Sequence, residues 1–330
     1  MQVSCAVPST LASPDHVALA EELGYQRAWF YDTPQQSPDV WMLMALAAER
    51  TERIGLGPGV LVPSLRHPMV NAAATAGLEA LAPGRVVIAF GTGYSGRKAM
   101  GVKGPVKWAY MDAYIRAFKG LLRGETVEWE GARMRMLHPD GHAAPRPVEV
   151  PVLVAAQGPK GYAVAKELAD GLFTVAAVPD FAGEFPWVPH LVWGTVLEDG
   201  EAVEAVRVRA AAGPGLMQSY HGAYEYGVPL SNLPGGSEWL AVVEQTPEHE
   251  RHLFVHNRHC IELNPADEAA WEAGAHGLLK NLTMTGSPAE IQERLAALAE
   301  QGTTEIVYQP TGPDTRRELE AFMEAASGAK

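Results

Sequence analysis

The sequence predicts a closed parallel (β/α)8 barrel, a TIM barrel with insertions at the C-terminal mouth of its strands. Three observations predict it. Eight short apolar runs recur along the chain, helical segments separate most of them, and two stretches are longer than ordinary connections. A doubly wound open sheet is the competing arrangement, because strand–helix alternation serves both. The 330 residues are enough for one large core, and the reading is of a single domain over residues 1–330.

The elements follow in order. "QVSCAVP" reads as the first strand and "SPDHVALAEELGY" as a helix, with Ser13 suited to the N-cap, Pro14 to the first turn and Gly24 to the exit. "RAWFYD" is the second strand and "SPDVWMLMALAAERTE" the second helix. "RIGLGPGVLV", "HPMVNAAATAGLEALAPG" and "RVVIAF" supply the third strand, third helix and fourth strand. "VPVLVAA" and "GPKGYAVAKELADG" form the fifth strand and its helix, and "LFTVAAV" and "HLVWGTVL" the sixth and seventh strands. "TGSPAEIQERLAALAEQG" is an amphipathic helix, "TEIVYQP" the last strand and "PDTRRELEAFMEAA" the closing helix. Residues 124–147 are expected to form a hairpin or lid, and residues 200–284 a helical insertion.

Composition removes several function classes. A formal net charge of −13 without a lysine–arginine cluster argues against nucleic acid as a partner. No apolar run reaches membrane-spanning length, and "MQVSCAVPST" lacks the cationic start of a signal peptide, so a cytoplasmic protein with no membrane partner is expected. Cys5 and Cys260 form neither a disulfide framework nor a metal motif. His138 and His142 in "HPDGH" are interrupted by Pro139 and Gly141, and the late "HNRH" has no fixed third ligand, so no metal site is expected.

In a parallel barrel the loops after the strands converge on one face. Asp32 ends the second strand, Gly59 and Val60 the third, and Gly91-Thr92-Gly93 the fourth, and Ala156-Gln157-Gly158-Pro159-Lys160 leads from the fifth into a helix. A helix start presents free N–H groups, which together with Lys160 and Thr92 suit a phosphate; a plain chain turn is the competing reading. "GTGYSG" has neither the dinucleotide spacing nor the P-loop ending, and no nucleophile elbow occurs. Asp32 can orient a polar ring or cap a turn, while Arg66 and His67 in "RHP" can face a ligand or solvate a loop. Trp108, Tyr110 and Tyr114 stand on a helix near the glycine loops, and Tyr220 and His221 lie in the late excursion. Trp108, Tyr110, Tyr220 and His221 are the substrate-binding candidates.

The chain resembles the luciferase-like superfamily of flavin- and deazaflavin-dependent oxidoreductases. The likeness rests on "AEELGYQRAWFYD", "RIGLGPGVLVPSLRHP", "LEALAPGRVVIAFGTG", "LLRGETVEWEG", "PVLVAAQGPKGYAVAKELADG" and "TGSPAEIQERLAALAEQGTTEIVY", whose order spans nearly the whole sequence. The resemblance implies a modified eight-stranded barrel with a late insertion and a cofactor ring at the mouth. It implies a phosphate held by Gly91, Thr92 and Gly93 with Ala156 through Lys160, and a non-proline cis peptide at Gly59–Val60. It also implies coenzyme F420 as cofactor, with FMN as the alternative. Many F420 members carry Asp-His after the second strand, whereas here Thr33 follows Asp32, so a histidine proton shuttle is missing there.

The expected function is hydride transfer between F420 and a small organic substrate, with Asp32 and His67 orienting groups or handling the proton. The alternatives are an FMN-dependent monooxygenase fed by a separate flavin reductase, and a noncatalytic flavin-binding protein. A homodimer is expected from the resemblance.

Overall fold

In the computed structural model, which describes residues 1–328, the apolar runs become short parallel strands around one sheet. Among the described residues the strands are β1 (Gln2–Val7), β2 (Arg27–Phe30), β3 (Gly55–Pro58), β4 (Ile88–Phe90), β5 (Val127–Trp129), β6 (Ala132–Met134), β7 (Val152–Ala155), β8 (Gly171–Val175), β9 (Pro189–Trp193) and β10 (Glu305–Gln309). Eight of them run in the order β3-β2-β1-β10-β9-β8-β7-β4. An open doubly wound sheet would leave β3 and β4 as edges. Instead parallel bridges Leu56↔Val86 and Leu61↔Phe90 join those two sides, which gives the (β/α)8 barrel.

The strands are buried along most of their length and pair in parallel. Cys5, Ala6 and Val7 lie opposite Ala28, Trp29 and Phe30, and Trp29 lies opposite Gly57. These residues are nearly all sealed from solvent, as strands covered on both faces must be. β5 and β6 pair antiparallel, Val127 with Met134 and Trp129 with Ala132, as a hairpin between β4 and β7.

Contacts group the chain into two compact units. The first comprises Met1–Tyr94, Gly104–His190 and Gln301–Ile306; the second comprises Ser95–Lys103, Leu191–Glu300 and the residues from Val307 on. In the first unit the fully buried Glu305 carboxylate accepts from Arg27 at 2.8 Å, from the Trp29 indole at 3.0 Å and from the Trp187 indole at 2.7 Å. Three donors satisfy a charge that would be costly to bury alone. In the second unit, helices Val206–Tyr226, Gly236–Val243 and Pro265–Glu272 enclose a core of Leu216, Tyr220, Trp239, Trp271 and Leu279.

Local chemistry explains most boundaries. Asp39 accepts from the Trp41 N–H and starts helix Val40–Arg50, and His67 with Pro68 starts helix Pro68–Leu81. Asn264 and Asp267 form a capping box at helix Pro265–Glu272. Two local expectations are corrected. Ser13 does not cap the first helix: its hydroxyl donates to the Pro8 carbonyl at 2.5 Å, so it fastens the incoming loop while Ala12 stands at the N-cap. The third strand stops at Pro58, and the chain rejoins the sheet only through Leu61. The glycine-rich stretch after β4 contains a short helix, Tyr94–Ala99. Among the described residues no helix is long and apolar enough to cross a membrane.

Candidate functional site

Loops after β2, β3, β4 and β7, all in the first unit, carry the cofactor residues expected from the sequence. The Gly59–Val60 peptide is cis, at the bond singled out by the resemblance. The segment that follows is tied to β4: Leu61 donates to Ala89 at 2.8 Å, and Gly91 donates back to Leu61 at 2.9 Å. This brings Val60 and Val62 hard against the glycine loop. A Cβ on Gly91 would lie 2.3 Å from Val60 Cγ2, and one on Gly93 would lie 2.3 Å from Val62 Cγ1. Gly93 also has a φ of +68°, so both space and conformation exclude a side chain there. Thr92 between them is half-buried, and its carbonyl accepts from Val106 at 2.9 Å.

The β7 loop supplies a different feature. Ala156 is buried, whereas Gln157, Gly158, Pro159 and Lys160 are exposed. Gly158 is the N-cap of helix Pro159–Leu168, and no side chain caps that helix. A Cβ on Gly158 would meet nothing within 4 Å, so the backbone is open to an approaching group. The Gln157 side-chain amide donates to the Val175 carbonyl, which tethers the loop to the end of β8. The Trp108 ring lies over Gly161, in the first turn of that helix. An uncapped helix start with open backbone fits an anionic group.

Asp32, only 4% exposed, is paired rather than open. Arg66 Nη1 donates to its Oδ1 and Oδ2 at 2.8 and 2.7 Å, and Arg66 Nη2 donates to Asp39 at 2.7 Å. Burial raises the Asp32 carboxyl above its usual range, and the Arg66 charge opposes that rise. His67 is exposed, and its Nδ1 accepts from the Met69 N–H at 3.1 Å. In the neutral ring the proton therefore sits on Nε2. Arg66 and His67 line a recess of about 220 Å³ with Pro63, Tyr110, Trp129 and Glu130. Tyr110 and His67 meet the Trp129 ring edge-on at 5.3 and 6.3 Å.

The remaining candidates stand elsewhere. Tyr220 and His221 belong to the second unit and are buried in its core. The Tyr220 hydroxyl donates to the Pro234 carbonyl at 2.5 Å. His221 bonds Asp267 through Nε2 at 2.9 Å and His259 through Nδ1 at 2.7 Å, and the Trp239 indole donates to the same Asp267 oxygen. Of the "HNRH" histidines, His259 thus joins a buried hydrogen-bonded cluster, and the His256 ring packs against it edge-on at 5.0 Å. Among the described residues no group of His, Cys, Asp or Glu is arranged to hold a metal ion. Sequence reasoning missed the Arg66–Asp32 pair and the part of Trp129. The only hint of the pair was an acidic residue closing one strand and an arginine following the next.

Comparison with known proteins gives three results. A family model described as luciferase-like monooxygenase matches residues 12–305. Two relatives align over most of their length: a 5,10-methylenetetrahydromethanopterin reductase of Archaeoglobus fulgidus at 23% identity, covering 92% of this chain and 91% of the relative, and an F420-dependent glucose-6-phosphate dehydrogenase of Beutenbergia cavernae at 27%, covering 94% and 89%. The solved coenzyme F420-dependent tetrahydromethanopterin reductase of Methanopyrus kandleri superposes with a TM-score of 0.69 at 18% identity, covering 99% of each chain, which is a likeness of fold.

Proposed function

The chain belongs to the luciferase-like monooxygenase family of flavin- and F420-linked oxidoreductases, and from that premise we propose that it transfers hydride between coenzyme F420 and a small organic substrate. The observation that carries this reading is the pairing, within one unit, of the Gly91–Gly93 loop with the uncapped, open helix start at Gly158. A phosphate-bearing ring cofactor suits that arrangement. The F420 dependence of similar proteins directs the choice of cofactor.

Bound there, F420 supplies a carbon that takes up or releases hydride. The chain's own residues bind and orient. The backbone at Gly91, Thr92 and Gly93, and from Ala156 to Lys160, holds the phosphate, with Lys160 adding positive charge. Gly59 and Val60 back the ring, Asp32 accepts a hydrogen bond from its polar edge, and Trp108 and Tyr110 wall the approach of substrate. His67 offers its Nε2–H as a hydrogen-bond donor that orients the substrate.

The monooxygenase description of the family favours one second reading, an FMN-dependent oxygenase using reduced flavin and oxygen. The test is titration of cofactor-free protein with F420 and FMN separately, followed by fluorescence. Tight F420 and weak FMN binding is the expected result. The reverse would overturn the F420 reading in favour of the oxygenase, which oxygen consumption with reduced FMN would then measure. We also propose a homodimer through the exposed Met42, Leu46 and Val70 on helices Val40–Arg50 and Pro68–Leu81. A sedimentation coefficient of a dimer that falls to a monomer's on Met42→Glu is the expected outcome.

A further inference from the structure

Arg66 is located from both ends. Its guanidinium spans Asp32 and Asp39, and its carbonyl accepts from the Tyr114 hydroxyl at 2.8 Å. Tyr114 in turn accepts from the Asn71 amide at 2.8 Å, and Asn71 accepts from the Trp41 indole at 3.1 Å. The Val62 N–H also donates to Asp32. The side chains of Asp32 and Arg66 are 1% and 12% exposed, while that of Asp39 is 41% exposed, so the Asp32 half of the bridge is the sheltered one.

We infer that Arg66 is a positioning residue that fixes Asp32 as an ionised hydrogen-bond acceptor for the cofactor ring and withdraws it from proton donation. The inference rests on the proposed placing of the ring against Asp32. A guanidinium keeps its proton throughout the working range, so the pair has no proton to give. Every group bonded to Asp32 here is a donor, and each of them favours the carboxylate. Burial is the largest influence and leaves the carboxyl above its usual range even with Arg66 in place, and the Arg66 charge is the largest influence opposing that rise. The titratable groups around the pair are Asp39, Tyr114, and the His67 and Glu130 that share the Arg66 recess.

The test compares wild type, Arg66→Gln, Arg66→Lys and Asp32→Asn. The carboxyl of Asp32 is titrated in cofactor-free protein by carbon-13 NMR, and F420 affinity is measured by fluorescence across pH 5–9. In Arg66→Gln the Asp32 titration is expected to move up by about one pH unit or more. The acid-side loss of F420 affinity should move with it. Arg66→Lys should return both most of the way, because it restores the charge without the fork. Asp32→Asn should bind F420 more weakly and lose that acid limb, which separates the carboxylate from any fold change caused at Arg66. An Asp32 titration equal in wild type and Arg66→Gln would overturn the inference. So would a titration that moves while F420 affinity stays level with pH, since Asp32 would then not face the cofactor. Failure of wild type to bind F420 at any pH would instead defeat the proposed cofactor, a result the NMR titration does not depend on.

Discussion

At the scale of single residues, the glycines of the site answer to different pressures. Gly91 and Gly93 lie where Val60 and Val62 leave no room, so Gly93→Ala should destabilise the fold by about 1–3 kcal/mol. Gly158 faces open space, and a serine there should supply the missing cap. Gly158→Ser is expected to change stability by only a few tenths of a kcal/mol. It should nevertheless weaken F420 binding about tenfold, because its hydroxyl oxygen would occupy the N–H groups meant for phosphate. Thermal melts beside fluorescence titrations would show it, and unchanged affinity would remove the helix start from the site. Lys160→Ala should weaken binding more at low salt than at high salt, as expected for an exposed charge. The glycine loops and Asp32 were legible in the sequence because strand ends in a parallel barrel share a face. Arg66 was not: its partner lies 34 positions away, and no periodicity joins them.

At the scale of elements, helix Val206–Tyr226 separates intrinsic propensity from packing. It contains Gly213, Pro214, Gly215 and Gly222. A Cβ on Gly215 would lie 2.2 Å from the Trp193 Cβ, whereas one on Gly222 meets nothing within 4 Å. Helix propensity alone favours alanine at both sites by about 1 kcal/mol. Gly222→Ala should therefore raise the urea midpoint, and Gly215→Ala should lower it by the equivalent of about 1–3 kcal/mol because close contact outweighs propensity. Two midpoints moving in the same direction would contradict this account. The helix itself was legible as part of a helical excursion over residues 200–284. The inward position of Tyr220 and His221 was not, because aromatic residues at helical spacing read alike whether they line a mouth or fill a core.

For the molecule as a whole, buried imidazoles set the response to acid. Burial pushes His190 down to about 4, and burial with the neighbouring His221 and His256 pushes His259 well below its ordinary value. Unfolded, both would titrate near 6.5. As pH falls through that value the unfolded chain takes up protons that the folded chain refuses, so stability is lost on acidification. For His190 the loss should approach about 3 kcal/mol by pH 4. Urea midpoints at pH 7.5, 6 and 5 should fall in that order, and His190→Gln should flatten the slope; equal midpoints would refute the assignment. The barrel was legible because alternating apolar runs and helices leave few arrangements. Its grouping into two units was not, because the chain leaves the first unit after His190 and returns to it at Gln301.

That return has a consequence for synthesis. Arg27, Trp29 and Trp187 all donate to one acceptor, Glu305, and all four residues belong to the first unit. A ribosome building the chain at about 5–20 residues per second needs roughly 5–20 s to pass from Leu191 to Glu300. Through that interval the nascent barrel carries a cation and two indoles turned inward with no carboxylate to receive them. The hazard of misassembly is therefore timed by the length of the excursion, and it ends when a six-residue segment arrives.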